Sequence, residues 1–163
     1  MSKTIVMTLD PQSIRRAANQ VLRYRDQLIR RSNSLIERLT ERGERIAKVQ
    51  IRTLNVVYTS QLHDSITGFF DEQSRCGIIR AGAWYAIFVE YGTGVKGSRS
   101  PHPDPKGWAY DVHGHGEKGW VYYNERDGKW HRTKGMASRP FMYRTAKELE
   151  AICQSVAKGV FKT

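Results

Sequence analysis

The residues with the greatest potential for chemistry are histidines and aspartates in the second half of the chain. Imidazole and carboxylate groups bind zinc or iron when three or four of them sit on rigid elements. The candidates are His102, Asp104, Asp111, His113, His115 and His131. Their spacings match no familiar metal pattern, and the closest pair, His113 and His115, lies in a glycine-rich stretch. We therefore prefer a polar loop that orders only against a partner, and we expect no metal and no other cofactor.

Signatures of other enzyme classes are missing from the sequence. It contains no Gly-x-Ser-x-Gly elbow, no phosphate-cradling loop and no His-Glu-x-x-His helix. Gly92-Thr93-Gly94 supplies two glycines, but we predict no helix after it that would aim amide groups at a phosphate. We expect a protein without catalytic activity. A metal-dependent enzyme built on His113, His115 and an aspartate is kept as a third-ranked alternative.

Charge is the strongest compositional signal. The formal net charge is +11, and residues 1–55 carry 12 Lys/Arg against 5 Asp/Glu. Such a basic region indicates nucleic acid or an acidic protein surface as a partner, although a solvated helix face has the same pattern. DNA contact would neutralise phosphates without reading sequence. The candidates to face DNA are Arg15, Arg16, Arg23, Arg30 and Arg31.

The length of 163 residues is that of one domain, which we predict to span residues 1–163. No apolar run approaches the ~20 residues that a membrane-spanning helix requires, and no signal peptide is recognisable. We expect that the protein does not associate with membranes. We expect it to be synthesised in the cytoplasm. Cys76 and Cys153 are far apart and are interpreted as reduced, small buried residues.

The elements that must position these residues begin with a long helix. Asp10 and Pro11 form a helix start, and apolar residues then recur at helical spacing to about residue 54, with arginines between them. Because this is long for one globular helix and the apolar spacing slips, we predict a break at Arg23–Gln27.

Strand patterns follow. Residues 65–70 and 76–81 read as a hairpin. Ala83–Tyr91 could continue as a strand or form a short helix, and we favour a short buried helix packed on the hairpin. A buried carboxylate needs partners, so Glu90 is expected at the rim of the core or bonded by the turn that follows it. Asp-Gly between the aromatic runs at 120–123 and 129–132 predicts a second hairpin, and Pro140 opens a last amphipathic helix.

The predicted fold is therefore α+β: an N-terminal helical region and a C-terminal helix packed on a small, mostly antiparallel sheet. A long loop and a β-hairpin are inserted at about 92–135. Residues 92–119 hold 7 of the 14 glycines and 3 of the 5 prolines, so we expect this stretch to be functional or disordered. The aromatic side chains of this region are candidates for a subunit or tail interface, or for base stacking: Trp108, Trp120, Tyr122, Tyr123 and Trp130.

Two motifs in this order resemble a known family. The segment Tyr-Ala-Ile-Phe-Val-Glu-Tyr-Gly-Thr-Gly at 85–94, followed by Arg-Pro-Phe-Met at 139–142, is similar to the tail-completion or neck proteins of tailed bacteriophages. The order and approximate spacing match over nearly the whole chain, whereas residues 92–135 are longer than in many members. The motif residues are Tyr85, Glu90, Tyr91, Gly92, Thr93, Gly94, Arg139, Pro140 and Phe141.

The resemblance implies a structural virion protein without catalysis, located at the head–tail junction. Copies would form a homo-oligomeric ring around the DNA channel, a hexamer as first expectation and a dodecamer as the alternative. The ring would join the portal or adaptor side to tail-tube or terminator proteins. Within each copy the motif residues would hold the fold together, and we expect Arg139 to pair with Glu90. The alternative from charge alone is a small, sequence-independent DNA-binding protein.

Overall fold

The computed structural model describes residues 4–55, 60–112, 118–124 and 127–162. The fold is α+β, as predicted, but the expected sheet is divided into two separate antiparallel hairpins within the described residues. The elements in chain order are α1 (Pro11–Thr53), α2 (Ser60–Asp64), β1 (Ile66–Asp71), β2 (Cys76–Ala81), α3 (Ala86–Tyr91), α4 (Gly94–Arg99), β3 (Trp120–Asn124), β4 (Lys129–Thr133) and α5 (Phe141–Phe161).

Helix α1 starts as predicted and runs without interruption for 43 residues. The Asp10 carboxylate accepts hydrogen bonds from the amides of Gln12 and Ser13 at 3.0 and 2.8 Å. The predicted break at Arg23–Gln27 is wrong. Residues 12–42 contain no Gly or Pro and are rich in helix-forming side chains, so nothing in the backbone bends the helix there.

Two glycines bring the β1–β2 hairpin close to α1. A Cβ on Gly77 would lie 2.0 Å from Thr40 Oγ1, and a Cβ on Gly68 would lie 3.1 Å from the Thr40 carbonyl oxygen. The Glu44 carboxylate also accepts a hydrogen bond from the Gly68 amide at 2.9 Å. The pKa of Glu44 is lowered because the Lys48 ammonium donates to it and the Gly68 amide adds a second hydrogen bond. The hairpin is thus fixed on the C-terminal half of α1.

The core lies where α1, this hairpin, α3 and α5 meet. Its buried residues are Ala47, Ile51, Leu62, Ile66, Ala83, Ala86, Val89 and Phe141. Helix α5 packs along the C-terminal half of α1, as Gly43 lies against Leu149 and Gln50 donates to Glu148 at 3.1 Å. Across the described residues, no helix combines the length and apolar character needed to cross a membrane.

The N-terminal half of α1 lies outside this core. At 1.5 Å per residue α1 is about 64 Å long and α5 about 31 Å, so α5 covers only part of it. Among residues 11–30 only Ala17 is buried, and apolar side chains such as Val21 and Leu22 are exposed. Residues 4–9, called the N-terminal arm below, have no regular secondary structure and run beside Gln20–Gln27.

The region from 92 to 135 is more ordered than predicted over its described part. Helix α4 directly follows Gly92-Thr93, which corrects the expectation that no helix stands there. Trp108 donates its indole N–H to the Gly92 carbonyl at 3.0 Å, and the Gly94 amide donates to the Tyr110 carbonyl at 2.7 Å. Residues 92–112 therefore fold against their own chain, and the interpretation as a loop that orders only against a partner is wrong for them. The second predicted hairpin, β3–β4, is confirmed.

Candidate functional site

The two motifs of the sequence meet in space at the Glu90 carboxylate. Glu90 lies in α3 and is only 7% exposed. Its Oε2 accepts a hydrogen bond from the Met142 amide and its Oε1 from the Tyr143 amide, both at 2.9 Å. These amides belong to the first turn of α5, where the backbone has no acceptor within its own helix. A carboxylate at this position also interacts favourably with the helix dipole.

Further contacts join the same two segments. The Ser138 hydroxyl donates to the Glu90 carbonyl at 2.6 Å, and the Arg139 amide donates to the Val89 carbonyl at 2.9 Å. Thr93 and Met136 form an isolated antiparallel bridge. The expected pair between Arg139 and Glu90 is not formed, because the amides of α5 take the carboxylate and the Arg139 guanidinium reaches the Asn55 carbonyl at 3.4 Å.

The glycines of the motif permit this close approach. Gly92 has φ +80°, and a Cβ there would lie 2.6 Å from the Ser138 nitrogen. Gly135, opposite, has φ +97°, and its Cβ would lie 1.9 Å from the Thr93 carbonyl oxygen. Both values of φ favour glycine, and neither site has room for a side chain. Phe141 anchors the start of α5 in the core, where it is 1% exposed.

His102 completes the surroundings of Glu90. Its Nε2 lies 3.1 Å from Glu90 Oε1, and the Asp104 amide donates to its Nδ1 at 2.9 Å. The Nδ1 atom also lies 2.8 Å from the Asp104 carbonyl oxygen, so the Asp104 backbone and the Glu90 carboxylate hold the ring between them. The imidazole also lies against the Tyr91 ring, with the ring centroids 4.5 Å apart and the ring planes tilted by 38°. Sequence reasoning listed His102 as a metal ligand, but both ring nitrogens are used inside the protein.

The other proposed ligands are dispersed. Asp104 contacts His102 only through its backbone, and His131 hydrogen-bonds Asp127 at 2.7 Å on the β3–β4 hairpin. His113 and His115 lie outside the described residues. Within the part of the chain that the structure describes, no three His, Cys, Asp or Glu residues form a metal-binding group. Asp111, which has φ +48°, takes part in other contacts of its loop.

An open groove of about 420 Å³ runs over Glu90 and His102, with Ala81, Ile87 and Met142 among its lining residues. The carboxylate at its base already accepts from two amides and from His102. A general base or nucleophile must have a lone pair directed at a substrate. The arrangement is that of a structural junction in which the motif residues support the fold.

The aromatic residues divide into packed and exposed groups. Trp108 stacks on Tyr91 at 5.0 Å and is partly buried, so it serves the fold as well as any interface. Tyr122, Tyr123 and Trp130 are exposed on the β3–β4 hairpin, with Trp130 at 71%. Trp120 is partly buried and lines an apolar groove of about 420 Å³.

That groove also contains residues which sequence reasoning did not single out. Trp84 is 78% exposed and makes edge contacts with Tyr85 and Phe88 at 5.6 and 6.4 Å. Phe88 in turn contacts Trp108 at 6.0 Å. The run Ala83–Val89 was predicted to be buried, but only one face of the short helix meets the core. The spacing of Trp84, Ile87 and Phe88 on one helical face is the signal that could have revealed this exposed surface.

The candidate DNA-facing arginines share one location. Arg15, Arg16, Arg23 and Arg30 are exposed on the N-terminal half of α1, and Arg31 is partly buried. The motif junction and these arginines therefore lie on different parts of the molecule. Comparisons with protein-family models, curated proteins and solved structures found no match to the chain.

Proposed function

We propose that this protein is a structural component of the head–tail junction of a tailed bacteriophage. Copies form a ring around the DNA channel and join the connector to the tail tube. The observation that carries the proposal is the use of the two motifs: Glu90 of the first receives the amides that open α5, directly after the second. This is the scaffold role that the resemblance implies for these residues.

Two surfaces support an assembly role. The exposed aromatic side chains Trp84 and Trp130 are of the type that dominates protein–protein contacts. The arginines on the N-terminal half of α1 would suit a channel that DNA crosses, since backbone neutralisation requires no sequence recognition. A hexamer is the expected ring and a dodecamer the alternative.

The first experiment is native mass spectrometry of the purified protein, followed by electron microscopy of particles assembled with a tagged copy. A mass of six or twelve chains of 18.8 kDa and a label at the head–tail junction are expected. A label elsewhere in the particle, or particles that assemble and infect without the protein, would contradict the proposal.

The exposed arginines favour one second candidate, a DNA-binding protein that acts alone. It requires tight binding to short duplex DNA that weakens steeply with salt, measured by fluorescence anisotropy. Replacement of Arg15, Arg16 and Arg23 by Gln should then abolish binding, whereas replacement of Lys147 and Lys158 on α5 should not. A ring that encloses DNA does not need tight binding to free duplex.

A further inference from the structure

The outer edge of β2 is available to pair with another strand. The Gly82 amide donates to the Ser65 carbonyl at 3.0 Å, which identifies that pair as hydrogen-bonded. Pairs alternate in an antiparallel hairpin, so those that turn their backbone groups outward are Ile66–Ala81, Gly68–Ile79 and Phe70–Gly77. On β1, Glu44 takes the outward amide of Gly68. On β2, no group in the described part of the chain bonds the outward backbone of Gly77, Ile79 or Ala81.

Two hollows lie along this open edge, and apolar side chains form part of the lining of each. One, of about 220 Å³, is lined by Ile36, Leu39, Gly77, Ile79 and Leu149. The other is the groove over Glu90, which Ala81 and Ile87 line. Ile79 and Ala81 are two residues apart, or about 7 Å along the strand. That is the spacing of alternate side chains on an added strand, and such hollows give strand addition its specificity.

The N-terminal arm has the complementary pattern. Its sequence, Thr-Ile-Val-Met-Thr-Leu, is uncharged, and Ile5, Met7 and Leu9 alternate with Thr4, Val6 and Thr8. Val6 is 85% exposed and Leu9 93% exposed. Within the described chain, the backbone of residues 5–7 makes no hydrogen bond. The arm has six described residues, and β2 has six as well.

The arm cannot reach the open edge of its own chain. It ends at Asp10, the N-cap of α1, whereas the nearest hollow begins at Ile36. Those 26 residues of continuous helix correspond to about 39 Å. Residues 4–9 would extend at most about 20 Å as a strand. The arm of the same chain therefore does not occupy the edge.

We propose that the N-terminal arm of one copy adds as a third strand to the open edge of β2 in the neighbouring copy. Ile5, Met7 and Leu9 then occupy the hollows, and main-chain hydrogen bonds satisfy the outward groups of Gly77, Ile79 and Ala81. This inference identifies a contact between the subunits of the proposed ring. It rests on the proposed function in one respect, namely that identical copies must meet. Each copy gives one arm and receives one, so head-to-tail exchange builds a ring where the rotation between neighbours closes.

A natural cysteine allows a direct test. Cys76 is exposed at the first residue of β2, on the face opposite to Gly77 and Ile79, so its expected burial is wrong. One copy carries Thr4→Cys or Thr8→Cys together with Cys76→Ser, and the other keeps Cys76. Cys153→Ser is present in both. The two copies are co-expressed with different tags, oxidised, and examined by non-reducing electrophoresis.

We expect a disulfide-linked heterodimer from one of the two arm cysteines. Thr4→Cys should react if the arm runs parallel to β2, and Thr8→Cys if it runs antiparallel. Asn19→Cys, an exposed site on α1 near the arm, is the matched control and should give no heterodimer. Deletion of residues 2–9 should shift the native mass of the assembly to that of single chains without changing the helical circular dichroism signal.

The outcomes separate this inference from the proposed function. A ring by native mass in which neither arm cysteine reacts more than Asn19→Cys overturns arm exchange and leaves the ring intact. A ring that persists after deletion of residues 2–9 also overturns arm exchange and leaves the proposed ring intact. If the native mass shows no ring but an arm cysteine still cross-links to Cys76, the result supports arm exchange and contradicts the ring. If the native mass shows no ring and neither arm cysteine cross-links, both arm exchange and the ring are contradicted.

Discussion

The two halves of α1 share one continuous helix but have opposite surroundings. In the C-terminal half, Ala47 is 0% and Ile51 1% exposed, packed against α5 and the β1–β2 hairpin. In the N-terminal half, Val21 is 53% exposed, and of the residues that the structure describes only the short arm runs alongside. Helical periodicity therefore shows which face of a helix is apolar, but it does not show whether the same chain covers that face.

The motif junction extends the well-packed half. There, a buried carboxylate, several glycines with positive φ and a buried phenylalanine stabilise one connection between α3 and α5. The N-terminal half has none of these devices, and its stability rests on helix propensity and on the Asp10 cap. Mutations should therefore have large effects at the junction and small ones along the N-terminal half.

The largest effect is expected from Gly135→Ala. The new Cβ would lie 1.9 Å from the Thr93 carbonyl oxygen at φ +97°, so the Thr93–Met136 bridge must move. We expect a loss of about 4 kcal/mol in the free energy of unfolding, from positive φ and overpacking together. Urea denaturation followed by circular dichroism measures it.

Gly107→Ala is the matched control, since Gly107 has φ +76° but no atom within 4 Å of its Cβ position. It should lose only the backbone contribution, about 1–2 kcal/mol. Equal losses in the two variants would mean that steric contact at Gly135 does not hold the junction.

The next effect is expected from Glu90→Ala. The substitution leaves the Met142 and Tyr143 amides and the His102 ring without their acceptor in a buried place. We expect a loss of about 3 kcal/mol. Glu90→Gln keeps one acceptor oxygen and should lose roughly half as much. The measurement is again the free energy of unfolding in urea.

Glu150→Ala provides the control, because Glu150 is exposed and pairs only with Lys147 on the surface of α5. It should leave the denaturation midpoint unchanged. If Glu90→Ala behaved like Glu150→Ala, the carboxylate would not be the link between the two motifs.

Much of the fold could be predicted from the sequence where local chemistry decides. Asp10-Pro11 specified the start of α1, Asp-Gly the β3–β4 hairpin, and Pro140-Phe141 the start of α5. Both strands of the first hairpin were also predicted, with boundaries within one residue, and the short helix was predicted from residue 83 but begins at Ala86. These signals act over a few residues and need no tertiary partner.

The candidate site could be predicted only in part, because its contacts join distant residues. The motifs identified Glu90 and the 139–141 segment, yet the acceptor role of Glu90 depends on amides 52 and 53 residues further on. Opposite charge suggested Arg139 as the partner, but backbone amides at a helix start need an acceptor more than an arginine near the surface does. His102 was only one of six candidate metal ligands in a predicted polar loop, because its burial beside Tyr91 is not visible in a glycine-rich, proline-rich sequence.

A smaller, local effect is expected at the start of α1, and it depends on pH. The pKa of Asp10 is lowered because the Thr8 hydroxyl and then the Ser13 amide donate to the carboxylate. A lowered pKa in the folded state means that the cap acts above the ordinary value of 3.8 and is lost as pH falls through the lower folded value. Amide proton shifts of Gln12 and Ser13, followed by NMR, should change below pH 3.8.

Asp10→Asn keeps an acceptor at the cap without a titrating group, so its shifts should stay constant over the same range. Asp10→Ala should accelerate amide exchange in the first turns of α1 and leave the urea midpoint of the core unchanged. A midpoint that fell with Asp10→Ala would show that the two halves of α1 unfold together.

The smallest effect is expected from Val21→Ala. The side chain is half exposed in the single chain, and alanine has the higher helix propensity, so the free energy of unfolding should change by less than about 0.5 kcal/mol. Ile51→Ala, on the same helix but 1% exposed, should lose about 3 kcal/mol. Both are measured by urea denaturation at the lowest usable protein concentration. Equal losses would show that the N-terminal half of α1 belongs to the folding core. If that half were packed into the core of its own chain, it would not present the N-terminal arm to a neighbouring copy.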